Sequence, residues 1–286
     1  MSRRRLTQIF PFLLPLRQWQ RKRLFYAAMR LDRSRYAHRT RAQPLPYLVH
    51  ERSEAMINRA SGHPIVYQYN KAHNLRLAAA TLDGLLIAPG ETFSFWQRVR
   101  HGDEREPYQD GLVLQDGMIT GAYGGGLCQL SDLLLQLFLR SDLHVIERHP
   151  HTTASFAPTD AGEALGVDAT VSEGWLDLKA CNPTDVTYQL GFSFEGEHIV
   201  GTLRSSARPS RRYELFNERV AYWRDTNGQL HLSATVARRC LDPATGGPLA
   251  VERLFETESL VGYELPPDTA VLAGRPEPLP PIVPNP

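Results

Sequence analysis

Cysteine is scarce in this 286-residue chain: there are three, Cys128, Cys181 and Cys240, and no CxxC pair. A dense disulfide framework and a cysteine-rich zinc ribbon are thereby excluded, and a reducing compartment fits. Long apolar runs are missing too. The best, residues 9–16 (IFPFLLPL), has eight residues and is broken by Pro11 and Pro15; a spanning helix needs about 20. It leads into Arg17, Arg21, Lys22 and Arg23 with no small-residue cleavage site, so a secretory signal is not expected. The GxxxxGK[ST] and GxGxxG patterns that cradle nucleotide phosphates are absent, as is any internal repeat. The expectation is a cytoplasmic protein.

Acidic residues are nearly missing from one end. Residues 1–41 hold 12 Lys+Arg and one acid, Asp32, while the other 245 residues hold 20 basic and 30 acidic ones. The formal net charge of +1 therefore conceals an arm of +11 joined to a body of −10. From residue 17 to 41 the arm reads as a helix with Trp19, Leu24, Ala27, Ala28 and Leu31 on a broad apolar side. Three fates suit it: packing that side on the acidic body, lying on an anionic membrane surface, or binding nucleic acid. Packing on the body is the fate it suggests most; among partners, peripheral contact with the inner membrane comes first and nucleic acid last.

Hydrophobic residues at 42% and charged residues at 22% define a globular body. Its pattern predicts helices over 48–59, 73–82 and 127–140. Strands are expected over 65–69, 85–95 around a Pro-Gly turn, 144–148, 169–173, 176–180, 188–194 and, after the Glu195-Gly196 turn, 199–203. Asp116-Gly117 and Asn227-Gly228 each signal a hairpin, and 249–258 is expected to pair with the second. The fold class is α+β, with a buried helix after a glycine-rich turn packed on antiparallel strands and a mostly antiparallel β C-terminal half. Four segments are expected: a basic arm (1–45), a core with the candidate site (46–205), a hairpin-rich extension (206–265) and a proline-rich tail (266–286), which holds eight prolines.

Chemistry concentrates in Gly124-Gly125-Gly126-Leu127-Cys128-Gln129. Glycines let a backbone take left-handed angles and approach a ligand closely. They lead into a helix start, where free amides and the dipole gather. A cysteine in that first turn is favoured as thiolate. The amides of Gly126, Leu127 and Cys128 would supply an oxyanion hole, with Gln129 assisting. A base is offered by His149 or His151, in the run Glu147-Arg148-His149-Pro150-His151; in an extended segment the two imidazoles share a face. Asp168, or Asp160, would orient the imidazole. The same residues suit a second reading, zinc held by Cys128, His149 and His151 with Asp168 as fourth ligand. In a third, Cys128 is a packed core residue, the glycines serve a turn, and Glu147 and Arg148 form surface pairs.

Several uncommon words occur in one order: PFLLPLRQWQRKRLF, YQYNKAHNL, PGETFSFW, GGGLCQLSDL, VIERHPHT and LDLKACNPTD. By these the chain resembles the VanW family over roughly residues 10–264. The resemblance implies Gly124, Gly125, Gly126, Cys128, Gln129, His149 and His151 as family positions, with Asp168 beside them. It implies an association with glycopeptide resistance and cell-wall metabolism, because the family sits among genes that remodel peptidoglycan precursors. On that basis the expected activity is Cys-dependent acyl transfer or amide cleavage on a peptidoglycan precursor or related peptide, without a resident cofactor. The alternative is a non-catalytic module for a peptidoglycan-like ligand, with Cys128 structural or metal-bound.

Overall fold

The computed structural model describes residues 12, 14–115, 118–155, 163–277 and 279. Asp160, the Asp116-Gly117 turn and half of the IFPFLLPL run lie outside them. The architecture is α+β, as the sequence pattern predicts, with mostly antiparallel sheets.

The basic arm forms α1 (Leu14–Leu31), and β1 (Arg35–Tyr36) follows where the sequence suggests more helix. Next comes β2 (Tyr47–Ala55), where helix was expected from Glu, Arg and Ala. Long-range pairing overrides that propensity, since β2 lies antiparallel along β11 (His198–Ser205) from Tyr47↔Ser205 to Ala55↔His198. α2 (Ile65–Leu82) is a single helix that absorbs the expected strand at 65–69. Its β-branched Ile65 and Val66 sit exposed in the first turn after Pro64, while Leu75, Ala78, Ala79 and Leu82 are buried. Burial of that stripe outweighs the weak strand preference of two residues.

β3 (Leu86–Ile87) and β4 (Glu91–Ser94) flank the Pro-Gly turn but join different sheets, followed by the short α3 (Phe95–Val99). β5 (Asp110–Gln115) and β6 (Met118–Tyr123) pair as the expected hairpin. α4 (Leu127–Leu139) is the buried helix, with ten of its thirteen residues buried, and packs against α2, β2, β11 and β7 (His144–Glu147). Leucine nearly all round suits a helix enclosed on every side.

One sheet has the order β1-β4-β9-β7, where β9 (Lys179–Cys181) is all that forms of the expected strands over 169–180. A second runs β2-β11-β10-β3, with β10 (Tyr188–Glu195). The third has three long antiparallel strands, β12 (Arg212–Arg224), β13 (Leu230–Leu241) and β14 (Pro248–Val261). At its edges lie two short parallel strands, β8 (Thr153–Ala154) on β14 and β15 (Val271–Leu272) on β12. The start of the proline-rich tail is thus paired to the body. β8 begins two residues after His151, so the third sheet holds the end of the segment that carries both candidate histidines.

Candidate active site

The site begins with the glycine turn. Gly126 stands at φ 95° as the N-cap of α4, an angle that a side chain would strain. A β-carbon there would also meet the stem of Lys71 on α2, 2.2 Å from its Cγ. Gly125 packs on the backbone of Gly111 in β5, and a β-carbon on either would collide with the other's carbonyl. The buried Asn74 of α2 pins this crossing: its Nδ2 donates to Gly125 O (3.0 Å) and Gln109 O (2.9 Å), and its Oδ1 accepts from Gln109 N (2.8 Å). Close approach is what these glycines permit, and the partner of Gly125 is another strand of the chain.

Cys128 therefore sits in the first turn of α4, half-buried, its Sγ 3.8 Å from Val171 O. His151 lies beside it, close enough for the thiol to act on the charge of its imidazole. The other side of that imidazole faces Asp168: Nδ1 lies 2.7 Å from Asp168 Oδ2, which also accepts from the His151 backbone N–H at 2.6 Å. Arg148 completes the line, with Nη2 2.9 Å from Asp168 Oδ1 and Nε donating to Asp168 O at 2.6 Å. The Arg148 side chain is 8% exposed and stacks 4.0 Å over the Phe255 ring of β14. The reading of Glu147 and Arg148 as residues in surface pairs is thus corrected for Arg148, whose side chain is enclosed and bonds Asp168.

His149 goes elsewhere. Its Nε2 lies 3.1 Å from Glu147 Oε1, a carboxylate that also holds Lys179 at 2.9 Å. Residues 148–151 are outside any strand and contain Pro150, so the two imidazoles do not share a face. Among the described residues no group of three or more His, Cys, Asp or Glu side chains is arranged to hold a metal ion; the Cys128, His149 and His151 triplet is not brought together. Gln129 is engaged with β2, its Nε2 donating to Ala55 O at 2.8 Å.

Two residues of α4 were not picked out from the sequence. Ser131 Oγ donates to Ala169 O (2.5 Å) and Cys128 O (2.9 Å), and Asp132 Oδ1 accepts from Ala169 N (2.6 Å). Together they clamp the segment that carries Asp168. The signal was present: Asp132 is four residues after Cys128, on the same helix face, and is the one acid among leucines.

The electrostatics follow from this enclosure. Burial works against a charged His151, but hydrogen bonds to Asp168 and Cys128 and the charge of Asp132 outweigh it and push the imidazole up to about 11. Burial also opposes ionisation of Asp168, yet the His151 bonds and Arg148 hold it below the usual carboxylate range. Desolvation raises Asp132 to about 7, with His151 pulling the other way. Beside the turn, burial lowers the Lys71 ammonium to about 8, offset in part by Glu54.

The geometry defines a class: an α+β protein with a half-buried thiol at a helix N-terminus, beside an imidazole that a half-buried carboxylate orients. A family model described as VanW like protein matches residues 70–204, a span that includes every residue of this line. The vancomycin B-type resistance protein VanW of Enterococcus faecalis (strain ATCC 700802 / V583) is 45% identical over 266 residues, covering 93% of this chain and 96% of that protein. The chain belongs to the VanW family, which is linked by name to vancomycin resistance. The uncharacterized protein YoaR of Bacillus subtilis (strain 168) is 30% identical over 138 residues, 48% of this chain and 44% of that one. No solved structure matches.

Proposed function

We propose that this protein is a thiol-dependent acyl-transfer or amide-cleaving enzyme acting on a peptidoglycan precursor or a related peptide. The observation that carries the reading is the continuous line Cys128, His151, Asp168, Arg148, with the thiol half-buried at its open end. The resistance association of the relative supports the substrate class.

In the proposed first step His151, held at Nδ1 by Asp168, takes the proton of the Cys128 thiol. Cys128 Sγ attacks the carbonyl carbon of the scissile amide, and the oxyanion forms against the Gly126, Leu127 and Cys128 amides at the start of α4. The C–N bond then breaks, and His151 gives its proton to the leaving amine, leaving a thioester on Cys128. An incoming amine or water attacks the thioester, and His151 takes its proton and passes it to the departing Cys128 sulfur. Asp168 holds Nδ1 throughout and Arg148 holds Asp168. Lys71, beside the turn, is the cation we assign to a carboxylate of the peptide.

The test is alkylation of Cys128 in folded, metal-analysed protein across pH 5 to 9, followed by peptide mapping to separate it from Cys181 and Cys240. Rapid modification below neutral pH is expected, slowed in Asp168→Asn. Cleavage or transfer on muropeptide substrates should fall by about 10³-fold or more in Cys128→Ala. Slow alkylation until unfolding, in metal-free protein, would overturn the enzyme reading in favour of a binding module.

A further inference from the structure

The basic arm resolves into a helix with two different sides. α1 docks on the body through Phe25, Tyr26 and the buried Met29, with Tyr26 Oη donating to Glu173 at 2.9 Å and Lys22 paired to the same carboxylate. The apolar side that the sequence presents is a different one. Leu24 is 70% exposed, Leu31 80% and Leu16 53%, with Ala27 also exposed. At 3.6 residues per turn, Leu16, Leu24, Ala27 and Leu31 share the face turned away from Phe25 and Met29. Arg23 and Arg30 run along one flank of that stripe, and Arg17 and Arg21 along the other. No acid occurs in the 18 residues of α1. Among the described residues, only Lys22 of its cations meets a carboxylate within 4.0 Å. Two exposed tryptophans border the stripe, Trp19 with Arg23 stacked on it and Trp175 of the body with Arg21 stacked on it.

We infer that this outer face of α1 is a docking surface for an anionic lipid bilayer. Leucines supply apolar burial among the acyl chains, two rows of arginine match lipid phosphates, and tryptophans suit the headgroup level. A nucleic-acid surface would satisfy the arginines but leave Leu24 and Leu31 in water. Orientation follows from the docked side. Glu173 and Trp175 stand just after Val171, whose carbonyl touches Cys128, so α1 docks on the segment that also borders the candidate site. The surface stands on its own observations, whether or not Cys128 is a nucleophile.

The full chain should be co-sedimented with phosphatidylcholine vesicles with and without phosphatidylglycerol, at low and high salt. Binding is expected only with phosphatidylglycerol and weaker at high salt. The double variant Leu24→Asp with Leu31→Asp, checked for an unchanged melting curve, should lose it. A triple variant, Arg17→Gln with Arg23→Gln and Arg30→Gln, keeps every leucine of the stripe, gives up the Arg23 stack on Trp19, and should weaken binding about 100-fold. No binding to anionic vesicles at low salt would overturn the inference, as would binding indifferent to the leucine variant. Binding of a labelled oligonucleotide without vesicle binding would overturn it and assign the face to nucleic acid. Loss of vesicle binding leaves Cys128 alkylation unchanged, so the two proposals fail separately.

Discussion

At the residue scale the site is a set of opposed titrations. His151 is raised to about 11, so the stability from its pairing is fully present below about 6.5 and is lost as pH rises through about 11. Asp168 is depressed, so its contribution is present above about 3.8 and is lost as pH falls through its lower folded value. Asp132 has the opposite sign to Asp168: raised to about 7, it favours the fold most below about 3.8, and that advantage is lost as pH rises through about 7. Asp132→Asn keeps an oxygen to accept Ala169 N–H and removes the buried charge. Denaturant melts should therefore show the variant more stable than the parent at pH 8, by roughly 1–3 kcal/mol, and nearly equal to it at pH 4. Equal pH dependence in the two proteins would show that Asp132 does not titrate with folding. The residues themselves were visible in the sequence, Cys128 by its glycine turn and His151 by its motif. The choice of His151 over His149 was not, because Pro150 and the Asp168 contact break the period-two rule on which their equivalence rests.

At the element scale, α4 and the turn before it do two jobs with the same atoms. The leucines of α4 fill the core between α2 and the strands, and its first turn presents Cys128. Gly126→Ala puts a β-carbon at φ 95° and into the Lys71 stem. A loss of about 1–3 kcal/mol is expected, along with a slower alkylation rate at Cys128 as the first turn shifts. A variant with parental stability and reactivity would show that the turn relaxes freely. The all-round leucine pattern made α4 readable from the sequence alone. β2 was not readable, since residues 48–59 carry helix-forming types and the strand conformation of Tyr47–Ala55 comes from β11, about 150 residues later.

For the whole molecule, the charge split and the sheet order set what touches what. The arm docks on one side through Lys22, Tyr26 and Met29, while the third sheet reaches the site from another. β14 pairs with β8 through Leu260↔Thr153, Phe255 covers Arg148, and Asn217 of β12 bonds both N and O of Leu165. The family match ends at residue 204, yet these strands lie beyond it. A chain ended after Ser205 should therefore lose hydrogen-exchange protection over 148–155, and its Cys128 should lose the pH-dependent reactivity of the full protein. Retained protection there would assign the third sheet no part in ordering the site.

Composition and local pattern were enough to establish the α+β class, the buried leucine helix, the two hairpins, and a thiol placed on a glycine turn. Each of these rests on forces that act within a few residues: helix and strand periodicity, turn geometry and the left-handed freedom of glycine. Folding in three dimensions settled which imidazole meets Cys128, that Arg148 is buried against Asp168, that 47–55 is a strand, and that the leucines of the arm face outward. Those outcomes depend on partners distant in the sequence, and on a competition for burial in which Phe25, Tyr26 and Met29 took the contact with the body and Leu24 and Leu31 did not.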